Sequence, residues 1–149
     1  MKIKTEMDRV SRMNFEEVFL RCYANVLGGD ERLGEADPEA DVQSWLEFVE
    51  ECESGYSDSL SEYDFDLYVR DRLQKAIDSQ ALHLTSDYDD FRRMVESIDG
   101  RFREIASTPI SADDGESPNW WHKIIPHKGG EEFVNDVRDR LGLIIRRVD

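Results

Sequence analysis

The chain has 149 residues, and its 34 Asp and Glu against 19 Lys and Arg give a formal net charge of −15 at pH 7. A chain of this length fits a single domain spanning residues 1–149, and 39% hydrophobic residues are enough for a packed core. The negative charge excludes ordinary nucleic-acid binding, which needs clustered Lys and Arg at the phosphates, and it disfavours anionic membrane surfaces.

The N-terminal sequence and the cysteines favour a cytoplasmic protein. Residues 1–8 contain no apolar core of a signal peptide, and nowhere do about 18 apolar residues follow one another, so we expect neither secretion nor a membrane span. Cys22 and Cys52 fall on the apolar faces of predicted helices, where a thiol behaves as a small hydrophobic group. We therefore predict two buried, reduced cysteines.

The first predicted helix begins near Asn14. Asn14 followed by Glu17 indicates an N-cap with an acid at the third helical position, and Gly28 ends the helix. The preceding residues, 1–13, are a candidate flexible segment. The apolar positions that follow the helical period are Phe15, Val18, Phe19, Cys22 and Val26.

The second and third predicted helices have clear start signals. Asp37 followed by Pro38 predicts an N-cap and a proline at the first helical position, and the helix ends near residue 54. Ser59 with Glu62 forms a capping box for the third helix, which runs to about Ser79. Their apolar stripes are Val42, Trp45, Leu46 and Val49 in the second helix, and Phe65, Val69, Leu73, Ala76 and Ile77 in the third.

Two further helices complete the prediction. Ser86, with Asp89 at the third helical position, predicts a fourth helix, and the last helix begins at Glu131 and ends at Gly142. The fold class is therefore an all-α, single-domain bundle of about five helices, after which residues 143–145 either extend the last helix or form a short C-terminal strand. The predicted core contains Trp45, Val49, Val69, Leu73, Phe91, Val95 and Ile98.

Residues 108–130, before the last helix, are predicted to form a long loop, because Pro and Gly interrupt any periodic pattern. Trp120 and Trp121 lie in this loop. Such a pair either anchors the loop to the helical core or offers aromatic contacts to a partner. The two interpretations differ in how exposed the rings are.

The charge imbalance is concentrated in one segment. Residues 30–66 hold fourteen acids and one base, Arg32, for a net charge of −13, whereas residues 67–149 have a net charge of −3. On the second helix, Glu47, Glu50 and Glu51 fall opposite Trp45 and predict one solvent-facing acidic surface. This surface either docks a basic partner or only keeps the protein soluble. The candidate partner-binding residues are Glu47, Glu50, Glu51, Asp58, Glu62, Trp120 and Trp121.

Catalytic and metal-binding motifs are weak or absent. Glu47 and Glu50, with Glu62 and Asp66 on the next helix, resemble the carboxylate pairs of a divalent-metal site, but many such pairs arise by chance in so acidic a chain. His83, His122 and His127 lack the spacing of zinc ligands, and there is no P-loop, nucleophile elbow or Gly-x-Gly-x-x-Gly motif. We therefore expect no cofactor.

These observations favour a non-enzymatic acidic interaction protein. It would present its negative helical face to a basic protein partner, as an immunity protein, an antitoxin or a phosphate-mimicking inhibitor does, although this comparison is an analogy with small acidic helical proteins in general. The alternative is a metal-dependent hydrolase of small phosphorylated molecules that uses carboxylates of the second and third helices. A deep pocket with convergent carboxylates would favour the enzyme, and an exposed acidic face the binding protein.

Overall fold

The computed structural model describes residues 13–30, 34–110 and 119–148, and these residues are mostly helical. The predicted fold class, a mostly helical single domain, is confirmed. Five of the six helices in the described residues are long, and these five correspond to the five predicted helices. The helices are α1 (Glu17–Leu27), α2 (Pro38–Ser54), α3 (Leu60–Asp78), α4 (Gln80–His83), α5 (Tyr88–Ile105) and α6 (Glu131–Leu141).

Short strands occupy the connections. β1 (Gly29–Asp30) pairs with β2 (Gly34–Glu35), and β3 (Thr108–Pro109) pairs with β4 (Ile124–Ile125), both antiparallel. β5 (Lys128–Gly129) pairs in parallel with β6 (Arg146–Arg147), so the chain does form a C-terminal strand after α6. Within the predicted loop before α6, the described residues form β3, β4, β5 and a 3₁₀ turn at Trp120–His122. Residues 1–12 and 111–118 lie outside the described part of the chain.

Side chains cap the helices largely where the sequence predicts. Asp37 Oδ1 accepts a hydrogen bond of 3.0 Å from the Glu39 N–H at the start of α2. Ser59 Oγ accepts one of 3.1 Å from the Glu62 N–H at the start of α3. These side chains satisfy N–H groups that have no partner inside the helix, which is why the two helices begin at the predicted positions.

The starts of α1 and α5 differ from the prediction. Glu16, not Asn14, precedes the first turn of α1, and its backbone N–H donates to Asp87 Oδ2 at 2.7 Å. Asp87, not Ser86, precedes α5, because its carbonyl accepts the first helical hydrogen bond from the Phe91 N–H at 3.0 Å. A contact between residues 71 positions apart thus overrides the local capping signal of α1.

The chain divides into two compact units, and the first contains residues 1–47 and 69–98. Its core includes a cluster of aromatic rings, in which Phe91 lies 5.4 Å from Phe19 and 5.7 Å from Tyr23. The second unit contains residues 48–68 and 99–149. There, Tyr63 lies 5.3 Å from Phe48 and 5.1 Å from Phe133. All predicted core residues are buried: Trp45, Val49, Val69, Leu73, Phe91, Val95 and Ile98.

Two predicted apolar faces are partly wrong. On α1, Phe19 and Tyr23 are fully buried, whereas Val18 is 58% exposed and Val26 is 39% exposed. The two aromatic rings bury more area than the valines do, so their contact with Phe91 decides which side of α1 faces inward. On α3, Phe65 is 44% exposed for a similar reason, because Tyr63 and Leu67 take the buried positions beside it.

The cysteines follow the prediction in part. Both are free, and Cys52 is fully buried, whereas Cys22 is only half-buried. Burial raises the pKa of the Cys52 thiol, and the neighbouring Glu51 raises it further. The Cys52 thiol therefore stays protonated and unreactive at neutral pH.

Candidate functional site

Acidic side chains converge on the turn between α2 and α3 in the second unit. Glu51 lies in the last turn of α2, Asp58 lies in the connection, and Glu62 lies in the first turn of α3. All three are exposed, as predicted from the sequence. We refer to Glu51, Asp58 and Glu62 as the acidic surface.

Two of these charges, those of Glu51 and Asp58, lie near the phenol of Tyr56 together with Asp66. The Tyr56 ring is buried beside the acidic surface, and its hydroxyl donates a hydrogen bond of 2.7 Å to Asp66 Oδ2. Burial raises the pKa of Tyr56 most, followed by the hydrogen bond to Asp66 and by the charges of Asp66, Glu51 and Asp58. Carboxylates from α2, α3 and the turn therefore create one region of negative potential.

Part of this acidity has a local structural role. Asp58 Oδ1 accepts a hydrogen bond of 2.8 Å from the Ser59 N–H, and Glu62 lies in the positive first turn of α3. Carboxylates at a helix N-terminus are stabilised by the helix dipole. Asp58 and Glu62 thus help to begin α3, but their exposed carboxylates remain open to a second contact.

Glu50 does not lie on the solvent-facing surface predicted for it. Its side chain is only 20% exposed, and Oε2 lies 3.8 Å from Arg101 Nη2. Arg101 also donates from Nε to Glu53 Oε2 at 3.0 Å. Arg101 of α5 therefore draws Glu50 inward and offsets part of the charge of α2, so Glu50 is excluded from the acidic surface.

Glu47 is exposed, as predicted, but it belongs to the first unit and is not counted in the acidic surface of the second.

Asp41 also belongs to the acidic segment of residues 30–66, but its side chain is buried in the structure. Asp41 is 5% exposed, and its Oδ2 accepts a hydrogen bond of 2.7 Å from the Tyr23 hydroxyl. Its Oδ2 also lies 3.0 Å from Nε of the buried Arg72.

This buried ion pair was missed by the sequence reasoning, because Asp41 resembles an ordinary acid in the first turn of a helix. Burial raises the pKa of Asp41, whereas the hydrogen bond from Tyr23 and the charge of Arg72 lower it. The guanidinium of Arg72 stays charged at any accessible pH, so an ionised Asp41 is what balances it. Asp41 therefore contributes to the first unit's core and not to its surface charge.

The two tryptophans of the loop before α6 differ in exposure. Trp121 is 2% exposed and packs into the second unit, so it anchors the loop and cannot contact a partner there. Trp120 is half-buried, and the Arg103 guanidinium lies 3.8 Å from its ring centroid. Arg103 therefore covers one face of Trp120 by a cation–π contact. Of the two rings, only the half-buried Trp120 stays a candidate for contact with a partner.

The carboxylates proposed for the metal-dependent alternative do not assemble into a site. Among the described residues, no group of three or more His, Cys, Asp and Glu side chains is arranged to hold a metal ion. Asp66 instead accepts the hydrogen bond from Tyr56. His83 Nε2 lies 2.7 Å from the Ile77 carbonyl oxygen.

No protein-family model, curated protein sequence or solved structure shows significant similarity to the chain. In the described residues, no helix is long and apolar enough to cross a membrane. The function must therefore be argued from the acidic surface itself.

Proposed function

We propose that the chain is a non-enzymatic protein that binds a basic protein partner through Glu51, Asp58 and Glu62. One observation carries this proposal: Glu51, Asp58 and Glu62 are all exposed, at the end of α2, in the connection and at the start of α3. An immunity protein, an antitoxin or an inhibitor that mimics phosphate groups would use such a surface in this way. These roles are analogies with small acidic helical proteins in general.

Electrostatics explains what the surface would contribute to binding. Opposite charges steer two proteins toward a productive encounter, so they raise the association rate more than they slow dissociation. At physiological ionic strength the Debye length is about 8 Å, which confines this effect to the last steps of approach. The partner should therefore present clustered Arg and Lys, and the association rate should fall as salt rises.

A variant in which Glu51→Gln, Asp58→Asn and Glu62→Gln are combined tests the proposal. It removes three charges at exposed positions. The free energy of unfolding should therefore fall only slightly, through loss of the contributions of Asp58 and Glu62 to the start of α3. Glu104→Gln, Glu131→Gln and Glu132→Gln together are the matched control, since they remove three exposed charges elsewhere in the second unit. Partners are captured from a lysate with each form at low and moderate salt, and association rates are then measured for each retained protein.

The expected result is a specific partner whose association with the triple variant is slower, and whose association with the control is nearly unchanged. Its contact face should be rich in Arg and Lys. A specific partner that binds all three forms equally well, with no effect of salt, would show that the acidic surface only keeps the protein soluble.

A further inference from the structure

We draw no further inference here: the strongest candidate, the groove of about 430 Å³ in the first unit between the residues that lead into α1 and the first turns of α5, carries nothing, because no contact in the described part of the chain shows what covers its apolar wall.

Discussion

The hydroxyl of Tyr56 donates a hydrogen bond of 2.7 Å to Asp66 Oδ2, whereas the hydroxyl of the neighbouring Tyr63 is buried without a hydrogen-bond partner among the described residues. The two rings lie 5.5 Å apart in the same aromatic cluster. The Tyr56 hydroxyl therefore stabilises the folded state, whereas burial of the Tyr63 hydroxyl destabilises it.

Tyr56→Phe should lower the free energy of unfolding by about 1–2 kcal/mol, because it removes a hydrogen bond to a carboxylate and leaves Asp66 facing an apolar ring. Tyr63→Phe should leave the free energy of unfolding unchanged or raise it slightly, because it removes a buried polar group that has no partner. Urea unfolding of both variants measures the difference. Equal destabilisation by the two substitutions would contradict the hydrogen-bond assignment.

Trp45→Ala should cost about 3–5 kcal/mol of stability, since the indole ring of Trp45 is fully buried in the first unit and its removal leaves a large cavity. Phe65→Ala is the comparison, because the Phe65 ring is 44% exposed and should cost much less. Denaturant unfolding gives both values. A loss below about 1 kcal/mol for Trp45→Ala would refute the register of α2.

Glycine substitutions should separate backbone strain from packing. Gly28 has a φ of 65° with no atom within 4 Å of an added Cβ, so Gly28→Ala should cost about 1–2 kcal/mol from conformation alone. Gly55 has a φ of 110°, and an added Cβ would collide with the Val148 side chain. Gly55→Ala should therefore cost more than Gly28→Ala, because it adds about 1–3 kcal/mol of overpacking. Melting curves that rank the two variants in the opposite order would contradict the placement of Val148 against the α2–α3 turn.

The protein should unfold cooperatively in alkali. Burial is the largest cause that raises the pKa values of Tyr23, Tyr56, Tyr63 and Tyr88 above the ordinary value. A phenol whose pKa is higher in the folded state stabilises that state fully below the unfolded pKa of about 10, and the stabilisation is lost as pH rises above it. Between its unfolded-state and folded-state pKa, each such tyrosine lowers the free energy of unfolding by up to about 1.4 kcal/mol per pH unit.

Phenolate absorbance and far-UV circular dichroism, recorded together as pH is raised, test this expectation. Most of the phenolate signal should appear in the same pH interval in which the helical signal is lost. A full phenolate signal near pH 10, with the helices intact, would show that these four tyrosines are accessible in the folded protein.

Local sequence signals are enough to place α2, α3 and α6. Asp37, Ser59 and Gly142 act on N–H or carbonyl groups within a few residues of themselves, so their effect can be read without knowing the rest of the fold. The helical period likewise placed Trp45 and Phe91 in the core. The exposure of Glu51, Asp58 and Glu62 followed from their positions opposite or outside the apolar stripes.

Which acids of residues 30–66 are exposed depends on contacts between helices. Asp41 and Glu50 have the same local sequence signals as exposed acids, but Asp41 pairs with Arg72 and Glu50 with Arg101. The inward face of α1 and the burial of Trp121 were decided in the same way, by contacts with residues distant along the chain. Such contacts leave no periodic or capping pattern, because their geometry depends on how helices pack and not on the hydrogen bonds within one helix.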